Sequence, residues 1–441
     1  LILRYPCVVN LSALRLFILA AVAAISTSLT AGVVGSGTPT SCTQSALQAQ
    51  LAAGGTVTFN CGAGPQSIAI TSAMNVISSF PPVTVDGNDS ITLDGTGTTS
   101  GMLNIFGSDT VLANVTLKHI TLTNGNISTG LNAGGTIQNF GNLTLDTVTI
   151  TKGHSAGSGA AIFQELCTGC LTASLTVKHS LFQNNAGGSG GSAISVEGGV
   201  ASIADSTFSG NTGSVGGAIA LYGNSTFKVI VSIDRSTFTG NSATFSGGAI
   251  SVESLNPGSN VTITNDTFTA NTATGSTAHG AALYIASAPV TIRNCTIAGN
   301  SAAGSGGAVY YDSVHPVTWI SNTIIASNTG GNCAVAAGAL ISGGNNLQFG
   351  DTTCPGMTVA NPLLGALANN GGLTQTMALG AGSPAIDRGD TINAPTTDQR
   401  GVARTDGNGD GIVAVDIGAF EAPALPGNAP PAPRRHRAVK P

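Results

Sequence analysis

From about Ile120 to Asn328 the chain repeats one short pattern, an apolar residue followed three positions later by Asn. It reads "LFQNN" at Phe182, "TFSGN" at Phe208, "TFTGN" at Phe238, "TFTAN" at Phe268, "TIAGN" at Ile297 and "IIASN" at Ile325. Looser copies stand at Leu122 and Ile150, with Gly125 and Gly153 in the Asn position. After a Gly-rich spacer comes a second signature: "GGTI" at Ile137, "GAAI" at Ile162, "GSAI" at Ile194, "GGAI" at Ile219 and Ile250, "GAAL" at Leu283 and "GGAV" at Val309. A period of roughly 26 to 33 residues, repeated this often, builds a solenoid rather than a closed globule.

Within each copy, apolar residues alternate with small polar ones, as in "KVIVSIDRSTF" and "NVTITNDTF". This is strand periodicity, and no window of helical length carries a 3.6-residue apolar stripe. Each copy therefore predicts two or three short strands separated by turns. The fold class is all-β, a right-handed parallel β-helix in which aligned residues stack about 4.8 Å apart. Phe208, Phe238 and Phe268 are the expected ladder on one inner wall, and Ile194, Ile219 and Ile250 on another. The column Asn185, Asn211, Asn241, Asn271, Asn300 and Asn328 reads as turn residues tolerant of left-handed backbone, with amides bonded from coil to coil.

The paired FxxN and GGA(I/V/L) signatures resemble those of chlamydial polymorphic outer membrane proteins and of many bacterial β-helix surface proteins. That resemblance covers roughly residues 111–328. It implies a secreted or surface-displayed β-helix, often adhesive, with no fixed catalytic set. The strands from Thr56 to Thr116 resemble entry coils of the pectate-lyase-like superfamily.

Only 8% of residues are charged and 61 are Gly, which argues against nucleic-acid binding and against a highly charged disordered chain. Residues 1–35 read as a signal peptide: Arg4 and Arg15 precede the apolar run Leu16 to Ile25. That run is short for a membrane span, so none is expected after cleavage. Export makes the cysteines disulfide candidates. Cys42 and Cys61 flank a predicted short amphipathic helix and first strand, within an N-terminal cap and entry region at 36–110. Cys333 and Cys354 bracket the loop after the main repeats, which span 111–330. Cys167 and Cys170 form a CxxC that lacks a second pair or a thioredoxin-like context and reads as a local disulfide. Cys295 has no partner.

Three residues past the GGAI position, the column reads Phe140, Glu165, Glu197, Tyr222, Glu253, Ala286 and Asp312, with Tyr310 and Tyr311 beside its far end. Alternation places the Ser and Glu of "AISVE" outward. Glu165, Glu197, Glu253 and Asp312 thus form an outward carboxylate stripe with interleaved aromatics. Three readings stay open: solubilising charge, passive sugar or cation binding, and hydrolysis. For hydrolysis, carboxyls about 5 to 5.5 Å apart on adjacent coils suit a retaining glycosidase. A lyase would need a basic residue, and Arg235 and Arg293 share one column on a different strand. The six histidines show no metal spacing.

A final coil and loop are expected at 331–381. Beyond it, "GSPAID" (Gly382 to Asp387), "TDQRG" (Thr397 to Gly401) and "DIGAFE" (Asp416 to Glu421) resemble the choice-of-anchor Q module. The resemblance implies a C-terminal module at 382–421 that closes the helix. There Asp398, Arg400, Asp416 and Glu421 are expected to tie the module together by charge-assisted hydrogen bonds. Inside it, "DGNGDG" resembles the start of an EF-hand or dockerin calcium loop, and Asp406, Asn408, Asp410 and Asp416 are the candidate ligands. A twelve-residue loop would end at Ile417, one position past Asp416, so a plain polar turn stays open. Residues 422–441 form a Pro-rich tail with a basic end.

The expectation is a monomeric, secreted or cell-surface scaffold that meets an extracellular polysaccharide or a host or cell-surface molecule. The alternative is a polysaccharide hydrolase or lyase using Glu165, Glu197, Glu253 and Asp312.

Overall fold

The computed structural model describes residues 32–423, apart from short segments at 78–80, 108–109, 129–133, 167–170, 189, 192, 224–226, 254, 257, 287–288, 313–317, 338–339 and 405–413. One coil, Val229 to Glu253, stands for the rest. Val229–Asp234 and Thr237–Thr239 lie in a first sheet, Ser242–Ser246 in a third and Ile250–Glu253 in a second. All these strands pair in parallel with the next coil, Ile233 on Ile263, Phe238 on Phe268 and Ile250 on Leu283. Among the described residues the second sheet stacks ten strands, from Met74–Val76 to Cys333–Ala337.

The corners follow from backbone sterics. Arg235 and Gly240 both have left-handed φ, 51° and 64°. Equivalent positions carry His179, Asp205, Asn265, Asn294 and Asn322 at the first corner and Asn184, Gly210, Ala270, Gly299 and Ser327 at the second. The left-handed residue is therefore the one before the Asn column, which corrects the expectation that the column itself occupies that conformation. Freed from that role, the column is an internal ladder. Asn241 donates through Nδ2 to Phe208 O (3.0 Å) and Asn271 Oδ1 (2.9 Å), and its Oδ1 accepts from Asn211 N and Nδ2. These amides are buried and satisfied, as stacked amides in a parallel ladder should be.

The core is one continuous column. Phe182, Phe208, Phe238 and Phe268 stack with centroids 4.7 to 4.8 Å apart, and Ile194, Ile219 and Ile250 line the opposite wall, all with no exposed surface. Beside the phenylalanines runs a second buried ladder. Ser180, Ser206 and Ser236 each accept from the backbone N–H of the previous coil, and Asp266, Thr323 and Asn346 continue it. Cys295 occupies this ladder as a free, buried thiol that donates to Arg293 O. Burial pushes both its thiol and the Asp266 carboxyl upward in pKa.

Both ends are closed. The helix Gln44–Ala53 starts at Thr43, whose hydroxyl accepts from Ala46 N, and buries Leu47 and Leu51. Its Gln48 amide bonds both N–H and C=O of Asn75, satisfying the exposed edge of the second sheet. The Cys42–Cys61 disulfide fastens this cap, and Cys333–Cys354 fastens the loop at the far end. Both bridges are those expected; Cys167 and Cys170 lie outside the described residues.

The C-terminal segment lies along the flank of the helix. Its hairpin, Leu364–Ala368 with Thr376–Leu379, joins Ala385 and Ile417 in a second apolar cluster against Ile324 and Ala326. Gln399 reaches back to Ser236 O, Thr237 Oγ1 and Thr267 Oγ1. Arg404 bridges Glu421 Oε2 and Asn265 Oδ1, both at 2.8 Å. Asp398 takes Arg400 Nε and the Glu421 N–H, and the Arg400 guanidinium lies 3.7 Å over Phe420. These are the expected charge-assisted ties, with Arg404 added as their centre.

Candidate functional site

The carboxylate column is assembled by the register of the second sheet. Gln164 pairs with Val196, Val196 with Leu221, Tyr222 with Glu253, Val252 with Ile285 and Ile285 with Tyr311. One step along, Glu165, Glu197, Tyr222, Glu253, Ala286 and Asp312 therefore follow one another on successive coils, about 4.8 Å apart at the backbone. Phe140 precedes them and stacks on Phe106 at 6.2 Å. The strand end beneath is fixed by an inward polar pair: Asn139 Nδ2 donates to Gln164 Oε1, and Gln164 Nε2 donates to Gly198 O. That pair holds the chain as it leaves Glu165 and Glu197.

The environments of the carboxylates differ. Glu165 and Glu197 are largely buried, and desolvation raises both pKa values; Glu197 is pushed up to about 7, first by burial and then by the charge of Glu165. Glu253 is held by two hydroxyls, Ser246 Oγ at 2.9 Å and Ser251 Oγ at 2.8 Å. Asp312 is exposed. Burial and the neighbouring Glu253 also raise the Tyr222 phenol.

A second outward row runs two residues earlier on each strand: Gln138, Phe163, Ser195, Ala220, Ser251, Tyr284 and Tyr310. The expectation that its serines face solvent is corrected, because Ser195 and Ser251 are buried. Turns leading in from the third sheet fold over them: a Cβ on Gly191 would lie 2.4 Å from that of Ala220. Ser195 Oγ has no hydrogen-bond partner among the described residues. It stands to Glu197 as Ser251 stands to Glu253, on the same face two residues earlier.

At the far end the row becomes aromatic. Tyr284 and Tyr310 stack at 5.5 Å, and His279 stacks on Tyr310 at 4.2 Å while its Nδ1 accepts from Ser305 N. Burial, Glu253 and Asp312 push the Tyr284 phenol up to about 12. Tyr311, expected beside the stripe, instead points into the core with 1% exposure. Tyr284 and His279 escaped the sequence reading because only one of the two outward rows was followed; the parity of Tyr284 with Tyr310 was the available signal.

The other candidates lie elsewhere. Arg235 makes a two-pronged pair with Asp205, both contacts 2.8 Å, and a further contact to Asp234. Arg293 does not share its column as expected, because the register aligns Arg293 with Asp234 and Asn294 with Arg235; both arginines belong to the first sheet, away from the carboxylates. Lys118 and His119 pair with Asp86, and Lys178 and His179 with Asp146. Asp406, Asn408 and Asp410 lie outside the described residues. Asp416 Oδ1 accepts from Asp387 N and Oδ2 from Ala422 N, and burial beside Glu421 pushes its pKa up to about 7. Among the described residues, no group of three or more His, Cys, Asp or Glu is placed to hold a metal ion.

A family model described as a right-handed β-helix region matches residues 192–354. No curated protein matches the chain. Among solved structures the chain is similar to the PL6 family alginate lyase AlyGC in a mutant form, at 11% identity and a TM-score of 0.40, over 93% of this chain and 60% of that one. A second structure of AlyGC gives 11% identity, a TM-score of 0.36 and coverages of 90% and 59%. The chain thus spans about 60% of the length of these structures. The fold is a right-handed parallel β-helix.

Proposed function

We propose that this right-handed β-helix is a secreted or cell-surface interaction scaffold that binds a linear polysaccharide, without turnover, along the second sheet. The observation carrying this reading is the unbroken register that sets Phe140, Glu165, Glu197, Tyr222 and Glu253 on successive coils, with Asp312 following one coil beyond Ala286. The stacked Tyr284, Tyr310 and His279 rings lie beside its far end. A row of this kind presents acceptors for sugar hydroxyls and flat faces for sugar rings, repeated along an axis as a polymer repeats. Two disulfides support an oxidising, extracellular setting.

A second reading has its own observation. Glu197, with a pKa pushed up to about 7 beside Glu165, is poised to donate a proton near neutral pH. In that reading Glu197 is the acid and Glu165 the nucleophile of a glycoside hydrolase.

The test is a polysaccharide panel presented to the purified protein, with binding followed beside reducing ends and ultraviolet absorbance of unsaturated products. Binding without product, weakened by Tyr284→Ala, upholds the scaffold. Product formation abolished by Glu197→Gln replaces it with the enzyme, and no binding to any member of the panel refutes both.

A further inference from the structure

Away from the acidic row, a pocket of about 340 Å³ opens where the outward face of the first sheet meets the C-terminal segment. One wall is Thr291, Arg293, Trp319 and Ser321, from adjacent strands in which Thr291 pairs with Trp319 and Arg293 with Ser321. The other wall brings Asp390 and Asn393.

Two side chains there are out of keeping with their neighbours. Up to that coil the outward column is small, Ser232, Thr262 then Thr291, yet Trp319 stands next in it with half its surface exposed. Arg235, Arg400 and Arg404 each hold a carboxylate, whereas the Arg293 guanidinium makes no hydrogen bond or ion pair with any described residue. The facing wall is preorganised. Asn322 bonds both N–H and C=O of Asp390, at 2.8 and 2.9 Å, Gly389 N donates to Val415 O, and Asn345 Nδ2 donates to Arg388 O. Asp390 Oδ1 accepts from Ile392 N, which aligns the carboxylate and leaves Oδ2 for a ligand.

We infer that this pocket binds a sugar acid, a pyranose ring carrying a carboxylate. The indole of Trp319 supplies a flat apolar platform for one face of the ring. The Arg293 guanidinium supplies a planar fork matched to a carboxylate. Asp390 and Asn393 take ring hydroxyls. The volume is at the small end for ligand pockets, about 300 to 1,000 Å³, and suits one or two sugar units at the end or edge of a chain. The site lies on a different sheet from the acidic row and does not rest on the reading given to that row.

Trp319 is the only tryptophan of the chain, so its fluorescence reports this pocket alone. The experiment titrates the protein with trisaccharides of galacturonate, glucuronate, mannuronate and guluronate to about 10 mM, above the millimolar range of a single weak site. Maltotriose is the neutral control. The expected result is a saturable change with at least one sugar acid and none with maltotriose. Arg293→Gln should weaken it about tenfold or more with an unchanged melting temperature. Glu253→Gln, in the acidic row, should leave the titration as it was. No change with any of the four acids, an equal response to maltotriose, or full binding by Arg293→Gln would each overturn the assignment.

Discussion

Replacing Asn241 by Ala tests whether the Asn ladder holds the coils together or merely fills a turn. Asn241 is fully buried and makes four side-chain hydrogen bonds: to Phe208 O, to Asn271 Oδ1, and from Asn211 N and Asn211 Nδ2. Asn271 Oδ1 keeps a second donor in Asn241 N. The substitution therefore strands Asn211 N and one hydrogen of Asn211 Nδ2, and takes from Phe208 O the donor it holds beside its ladder partner on the next coil. Each buried unsatisfied group costs about 1–3 kcal/mol, so the two sum to roughly 2–6 kcal/mol. The control is Asn142→Ala. Asn142 also bonds from coil to coil, to Asn114 Oδ1 and from Ser174 Oγ, but on the solvated surface, where the loss should stay near 0.5 kcal/mol. Urea unfolding followed by circular dichroism and by Trp319 fluorescence measures both, and coincidence of the two signals checks that one transition is being compared. If Asn241→Ala costs less than about 1 kcal/mol, or no more than Asn142→Ala, the ladder is not the tie it is described as.

Two further perturbations have defined signs. Glu197 has its folded pKa raised from 4.5 to about 7, so the folded state binds its proton more tightly than the unfolded state does. That contribution is complete below about pH 4.5 and is lost as pH rises to about 7. The melting temperature should fall across this window and the fall should be shallower in Glu197→Gln, the remainder belonging to Asp416, Glu165, Asp234 and Asp266, which are raised likewise; an unchanged slope refutes the burial of Glu197. Thr318 is fully buried, its hydroxyl has no hydrogen-bond partner among the described residues, and it pairs with Leu340 on the inner wall of the first sheet. Thr318→Val should stabilise by about 1–3 kcal/mol in the same urea assay, and a loss of stability would mean that the hydroxyl has a partner.

What was legible in the sequence was whatever repeats. The inward Phe and Ile ladders, the coil register, the carboxylate column and both end disulfides follow from alternation and spacing, because stacking turns an aligned column into a physical neighbour relation. Alternation gives the face of a residue but not whether that face is covered. Ser195 is outward and buried, because turns from the third sheet lie over it. Tyr310 and Tyr311 looked like a pair, yet adjacent strand residues must part, and Tyr311 went inward. Left-handed corners were misplaced by one residue, since a buried Asn bonding in a ladder and an Asn relieving backbone strain look the same in a column. Least legible were contacts without a repeat: Arg404 meets Asn265 across 139 residues, and nothing local marks the pocket that Trp319 and Asp390 share.

The way Gln399 and Arg404 reach back to Thr237, Thr267 and Asn265 changes how tension would travel through this molecule. Were the last coil also the last attachment, a pull on the chain beyond Ala422 would peel coils away one at a time, each breaking a single ladder. Here the pull is delivered to the middle of the stack. The Arg404, Asp398 and Glu421 ties must slide together before any coil opens, so load is shared across several coils in shear. A scaffold held by this end would stay wound under drag that would unravel one held by its final turn.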